Sequence, residues 1–175
     1  MCEHGHAGAR KPRTAVAEET SAARRSGRRR PSLADFRPVA PTNKAITPQL
    51  SVERLAGTFP GDLGIELTEI TDEHVRGRLL VDERHLHPMG EVHGGAWVAF
   101  ADTVAAWGTM RHLPEGRGFT TVELKINVLA AGRDGDELNA IGTPLHVGSR
   151  TQVWQVQVFR GERLAANFGC TQIVL

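Results

Sequence analysis

The chain has 175 residues, 40% of them hydrophobic, and 21 Lys and Arg stand against 20 Asp and Glu. That length suits one folded domain better than two, and the longest apolar run, from Gly94 to Met110, is shorter than the roughly 20 residues a bilayer needs and contains Asp102. Tyrosine is absent, which excludes a tyrosine acid or nucleophile, and the two cysteines, Cys2 and Cys170, match no zinc or redox spacing, so a reducing cytoplasm with no disulfide framework is expected.

The near-neutral total hides an uneven distribution. Residues 1–44 hold ten Lys or Arg against four Asp or Glu, and residues 45–175 hold eleven against sixteen, so the two parts are treated separately. The first part lacks hydrophobic periodicity and is rich in Arg, Ala, Ser and Pro. It cannot bury enough apolar surface to offset chain entropy, and it is expected to be a disordered basic tail. Arg24, Arg25, Arg28, Arg29 and Arg30 form a cluster of the kind that attracts nucleic acid or an anionic surface, but a solvated tail is the simpler expectation, and nucleic acid is not the expected partner. No apolar stretch follows the arginines, as a secretory or twin-arginine signal requires, and Glu18 and Glu19 interrupt any transit-peptide pattern. Cys2, His4 and His6 offer metal-ligating atoms on a terminus with nothing to fix them.

The folded domain is expected over residues 45–175. Thr47-Pro48 and Ser51 to Glu53 carry helix-start chemistry for a short helix reaching Leu55. Strand patterns follow at Gly64–Ile70 and His74–Val81, where Val75, Gly77, Leu79 and Val81 alternate with other residues. A loop with Pro88 and Gly90 as breakers spans His85 to Val92. From Gly95 to about His112 the pattern becomes alanine-rich, with Trp97, Val98, Phe100, Val104, Trp107 and Met110 placing apolar groups on nearly every face, the signature of a helix buried all round. Four more strands are expected at Phe119–Leu129, Glu137–His146, Thr151–Arg160 and Leu164–Val174, joined by turn-like segments.

The order β-β-helix-β-β-β-β defines an α+β architecture in which an antiparallel sheet wraps around one long buried helix. Such a sheet covers only part of its helix and leaves edges that invite pairing with a second copy, so a homodimer is expected.

Asp102 is the anomaly of this pattern. It is the only charged side chain between Gly94 and Met110, and a buried carboxylate without a partner costs several kcal/mol. An arginine partner or a capping role would satisfy it; so would a chemical function. The second feature is His93-Gly94-Gly95 at the helix start. Glycines there let a ligand approach backbone N–H groups that lack intrahelical acceptors, and those groups, with the positive end of the helix dipole, can hold a carbonyl oxygen as it becomes an oxyanion. Asp102 lies eight residues beyond Gly94, about 12 Å along a helix. That is too far for both to act on one carbon through the same helix, so cooperation requires Asp102 to face the helix start of another subunit.

The segment His87-Pro-Met-Gly-Glu-Val-His93-Gly94-Gly95 followed by Asp102 resembles the hotdog-fold thioesterases, in particular the phenylacetic-acid-pathway and Arthrobacter-type 4-hydroxybenzoyl-CoA thioesterase group. The likeness follows the element order over residues 60–175 and is densest at Gly90–Asp102 and at His146–Thr151. The resemblance implies an acyl-CoA thioesterase that uses no cofactor or metal beyond the CoA of its substrate and works as a homodimer, or a tetramer of two. It implies that the Gly94 N–H polarises the thioester carbonyl and that Asp102 attacks the acyl carbon or activates water. His87 stands where the family has Asn or Gln to orient water or substrate; histidine also donates a hydrogen bond but brings a titratable ring. Thr121, with Thr120 as the neighbouring option, falls where some members place a hydroxyl that holds the water. The 4-hydroxybenzoyl type has a Thr one turn after its acid, and here that position is Ala106, which argues against that substrate. Gly95 and His93 belong to the substrate-binding turn, with His93 expected to pack the turn rather than catalyse. Gly148, Ser149 and Arg150 match the turn that binds the CoA nucleotide and phosphates, a task suited to arginine's fork of donors. Trp97, Phe100, Trp107 and Trp154 are expected in the core. A hotdog hydratase or dehydratase and a non-catalytic acyl-CoA-binding protein are the alternatives.

Overall fold

The computed structural model describes residues 46–175. The expectations for residues 1–44, namely the disordered tail, its arginine cluster and the Cys2, His4 and His6 group, lie outside the described residues. The elements run α1 (Pro48–Leu55), α2 (Phe59–Asp62), β1 (Glu66–Ile70), β2 (Val75–Leu80), a 3-10 turn (Glu83–His85), α3 (Gly94–His112), β3 (Phe119–Val128), β4 (Glu137–Val147), β5 (Thr151–Arg160) and β6 (Arg163–Val174).

All six strands form one antiparallel sheet in the order β1-β2-β4-β5-β6-β3. β3, the strand that follows α3, therefore runs at the edge opposite β1. Inward positions alternate along the strands, as a half-buried sheet requires. On β5 they are Gln152, Trp154, Val156 and Val158, and on β6 Ala166, Phe168, Cys170, Gln172 and Val174. This face packs on Trp97, Phe100, Val104 and Trp107 of α3, all buried. Burial of each such side chain stabilises the fold by about 1.5–3 kcal/mol.

Two glycines permit the close approach of helix and sheet. A Cβ on Gly77 of β2 would lie 2.8 Å from Val104, and one on Gly108 of α3 would lie 2.4–2.7 Å from the Trp154 ring. Each is a position where an added methyl collides with a residue of the opposite layer.

Although α3 carries apolar residues around its whole circumference, its burial is not uniform. Val98, Ala99, Asp102, Thr103, Ala106 and Met110 are only half-buried, and their spacing of one to four residues gathers them into a stripe along one face. Asp102 sits in the middle of that stripe. A single sheet of six strands reaches the other faces and leaves this one partly open.

Two elements carry too little pattern to be read from sequence. α2 is one turn, with Pro60 near its start. The 3-10 turn, Glu83–His85, falls between the expected strand His74–Val81 and the expected loop, sharing only His85 with that loop, and a reciprocal cap between Asp82 and His85 defines it. His85 is 1% exposed. Its Nδ1 accepts from the Asp82 N–H at 2.9 Å, so Nε2 carries the proton and donates to the Leu63 carbonyl at 2.8 Å. The His85 carbonyl in turn accepts from the His93 N–H at 2.8 Å. A buried imidazole thus ties the β1 approach to the start of α3.

Candidate active site

The site residues expected from sequence fall into two groups. The first lies at the start of α3. The loop before it closes on itself, with Leu86 bridging Val92, the His87 N–H donating to the Glu91 carbonyl at 2.9 Å, and the Gly90 N–H donating to the His87 carbonyl at 2.9 Å. Gly90 takes φ +83°, a left-handed conformation suited to glycine. The His87 Nδ1 accepts from the Met89 N–H at 3.1 Å, which leaves Nε2 as the proton-bearing nitrogen of the neutral ring.

His93 is the N-cap of α3, and its Nδ1 accepts from the Gly95 N–H at 2.9 Å. The expectation that both glycines offer free N–H groups to a ligand is thereby narrowed. Gly95 is committed to its cap, and the Gly94 N–H has no acceptor among the described residues. Gly94 is exposed, with nothing within 4 Å of where a Cβ would stand. It opens onto a cleft of about 420 Å³ whose walls include His87, Val92, Trp97, Val128 and Ala130. A helix start with an unsatisfied donor at the mouth of an apolar cleft is a place for an electronegative atom attached to an apolar body.

The second group surrounds Asp102. Thr121 Oγ1 donates to Asp102 Oδ1 at 3.2 Å, and Gln172 Nε2 donates to Thr121 Oγ1 at 3.2 Å. No described cation pairs with Asp102, so the arginine partner that would have made it structural is replaced by one hydroxyl. Burial raises the Asp102 pKa above the ordinary carboxylate value, and the Thr121 hydrogen bond pulls the other way without reversing it. Thr120, the other option in sequence, is exposed and pairs with Ile173 at the sheet edge. Between the two threonines, it is Thr121 that meets the carboxylate.

Gly148, Ser149 and Arg150 form the turn between β4 and β5. The Gly148 N–H donates to the Thr151 carbonyl at 2.9 Å, and the Arg150 carbonyl accepts from the Val174 N–H at 2.9 Å. Ser149 and Arg150 are exposed. Ile173 of β6 lies between Thr151 and Thr120, so this turn belongs to the same end of the sheet as Thr121.

Within one chain the two groups remain apart. Gly94 and Asp102 share α3, with its rise of about 1.5 Å per residue separating them, and Asp102 is not among the residues lining the Gly94 cleft. Sequence reasoning missed Gln172 and Cys170. Both occupy inward positions of β6, where a polar residue in the apolar phase of an alternating strand is the one available signal. Cys170 is a thiol whose pKa is pushed up to about 12, by burial first and then by the Asp102 charge. Among the described residues no cluster of three His, Cys, Asp or Glu side chains is arranged to hold a metal ion, and no helix is long and apolar enough to cross a membrane.

A sheet wrapped around a central helix, with an acid on that helix and glycines at its start, defines the hotdog class of enzymes. Residues 89–166 match the family model described as thioesterase superfamily. The 1,4-dihydroxy-2-naphthoyl-CoA hydrolase of Escherichia coli is 31% identical over 120 residues, which cover 68% of this chain and 88% of that protein. The proofreading thioesterase EntH of Cronobacter turicensis is 29% identical over 103 residues, 59% of this chain and 74% of that one. A thioesterase structure from Haemophilus influenzae superposes with a TM-score of 0.72 at 27% identity, covering 76% of this chain and 93% of its own. The phenylacetic acid degradation protein PaaI of Thermus thermophilus superposes with a TM-score of 0.62, but at 22% identity it bears on the fold alone. The chain belongs to the thioesterase superfamily, and it is a hotdog-fold thioester hydrolase.

Proposed function

We propose that the substrate is an acyl-CoA thioester, hydrolysed to CoA and a free acid in a site shared between two copies of the chain. The observation that carries this is the state of Asp102: a half-buried carboxylate with no cation partner among the described residues, held by one hydroxyl. A structural aspartate would be paired; one kept for proton transfer or nucleophilic attack is left with its second oxygen free.

In this reading the thioester carbonyl lies against the Gly94 N–H of one protomer, whose unpaired donor and helix dipole stabilise the oxygen as it gains charge. Asp102 of the partner subunit either takes a proton from the attacking water or adds to the acyl carbon itself to give an anhydride that water then opens. On either route the carbon–sulfur bond breaks, the CoA thiolate leaves and is protonated, and the acyl group departs as a carboxylate. His87 stands at the cleft to hold the carbonyl or the water. Ser149 and Arg150 are exposed on the turn at the Thr121 end and are suited to the CoA phosphates.

The geometry of β3 supports a shared site. This edge strand exposes Val122, Leu124 and Val128, an apolar edge of the kind that pairs with another chain. It carries Thr121 near its start and Val128, a wall of the Gly94 cleft, at its end, about 23 Å away at the rise of an extended strand. Antiparallel pairing of two β3 strands sets the start of one beside the end of the other. That arrangement lays Thr121 and Asp102 of one copy against the Gly94 cleft of the second, as the 12 Å helix separation demands.

The test is thiol release from a panel of acyl-CoA esters by the wild type and by Asp102→Asn. The expected result is a fall in kcat of about two to four orders of magnitude in a folded protein whose Tm at neutral pH is higher than that of the wild type. Turnover near wild type in a folded Asp102→Asn protein overturns the assignment.

A further inference from the structure

Gln172 presents a problem of energetics. Its side chain is fully buried on the inner face of β6, and its register partner on β5, Gln152, is 1% exposed. Gln152 has a plain structural use, because its Oε1 accepts from Trp154 Nε1 at 3.2 Å. Gln172 has no such use. Its Oε1 meets no donor among the described residues, and its one hydrogen bond runs from Nε2 to Thr121. A buried amide oxygen left unmatched costs about 1–3 kcal/mol, and a position needing only volume would be filled better by Leu or Met.

The chemistry of the three groups sets the direction of the chain. An ionised carboxylate only accepts hydrogen bonds, so Thr121 must donate its one proton to Asp102. The Thr121 oxygen is then an acceptor, and the group beside it must be the amide NH2 of Gln172 rather than its carbonyl. With Gln172 donating, the Thr121 proton is aimed at Oδ1; without it, the hydroxyl is free to rotate away and to accept from solvent or substrate.

We infer that Gln172 is a positioning residue for hydrolysis, acting through Thr121 to hold the Asp102 carboxylate in its charged, oriented form. This rests on the proposed role of Asp102. The titratable neighbour of Asp102 is the Cys170 thiol on β6, which stays protonated through the working range, with Glu123 of β3 beyond it. Glu123 and the His87 ring at the cleft are the same in every variant, so a difference in the acid limb between Gln172→Met and the wild type reports on Asp102 and its hydrogen-bond chain.

The experiment uses the full chain and measures kcat, KM and the pH profile of thiol release for Gln172→Met, Thr121→Val, the double variant and Asp102→Ala. Gln172→Met, close to Gln in volume, is expected to fold with a Tm at or above wild type. Its kcat should fall about tenfold with KM within twofold, and its acid limb should move to higher pH. In the Thr121→Val background the same change should have no further effect, since the path it acts through is gone. Gln172→Leu carries the same expectations and is read instead if the Met variant does not fold. Wild-type kcat and acid limb in either variant, or a loss that adds in full to that of Thr121→Val, overturns the inference. Asp102→Ala separates the two claims. If it is inactive while Gln172→Met behaves as wild type, only the role of Gln172 falls; if it turns over normally, the proposed role of Asp102 falls and takes that of Gln172 with it.

Discussion

Thr121 Oγ1 lies 3.2 Å from Asp102 Oδ1 and bridges the edge strand β3 to the central helix. Among the described residues it is the one hydrogen bond that counters the desolvation of the carboxylate, and so it marks which part of the long helix has been kept polar.

That bridge makes the hydroxyl, not the shape, of residue 121 the quantity to vary. Thr121→Ser should retain most of the wild-type kcat, because a serine oxygen reaches the same acceptor. Thr121→Val, which keeps the branched shape, should lose about ten- to a hundredfold, the range expected for a hydrogen bond to a charged group of about 1.5–3 kcal/mol. Steady-state thiol release distinguishes them; equal rates for Ser and Val would remove the hydroxyl from the chemistry.

Stability should respond to pH in the direction opposite to that of a salt-bridged acid. Burial holds the native pKa of Asp102 above the ordinary aspartate value of 3.8, so the folded state binds this proton more tightly than the unfolded chain does. The contribution of Asp102 is then most favourable below pH 3.8, is lost as pH rises through that value toward the native pKa, and stays lost above it. Asp102→Asn keeps an acceptor for Thr121 and removes the charge. Its Tm should exceed that of the wild type at pH 7, and the gain should shrink as the pH is lowered. Thermal melts of both proteins across pH check this; a Tm gain that is absent at pH 7, or that is independent of pH, contradicts it.

Gly94→Ala separates fold from function at the helix start. Open space surrounds the site of the new Cβ, and its backbone is not in the left-handed region. Alanine is also the better helix residue, by about 1 kcal/mol in a helix interior and less at its start. The variant should melt at or above the wild-type temperature while kcat/KM falls at least tenfold, because the methyl stands where a carbonyl oxygen must approach the N–H. A variant with wild-type kcat/KM would place the carbonyl elsewhere.

Gly108→Ala should do the reverse. Its Cβ would meet the Trp154 ring at 2.4–2.7 Å, and overpacking of this kind costs about 1–3 kcal/mol against roughly 1 kcal/mol gained in helix propensity. A Tm several degrees below wild type is expected in calorimetry, and an unchanged Tm would mean that the Trp154 ring moves freely.

The long helix and all six strands were legible in the sequence because each is long enough to show its period, whether alternation on β5 and β6 or apolar residues around α3. α2 and the 3-10 turn were not, since three or four residues hold no period and a cap between Asp82 and His85 defines the turn through tertiary contacts. At the site, Asp102 and Gly94 stood out as local violations: a charge in an apolar helix, and a glycine pair where a helix begins. Thr121 could be narrowed only to a choice with Thr120, because the bulge after Thr121 sets which of them faces inward. Gln172 was missed because a glutamine on a strand is unremarkable until its burial is known. The cap that His93 gives Gly95 was equally beyond reach, as it depends on which ring nitrogen turns toward which N–H.

The central claim is that one active site draws Gly94 from one chain and Asp102 from another, and subunit complementation tests it most directly. Asp102→Ala and Gly94→Ala homomers, each of low activity, are unfolded together, refolded as a mixture and assayed for thiol release. If the site is shared, each mixed dimer holds one site with both defects and one with neither, and random pairing should restore about a quarter of wild-type activity. If Gly94 and Asp102 served the same site from one chain, every site in the mixture would carry a defect, and activity no higher than the mean of the two parents would contradict the account.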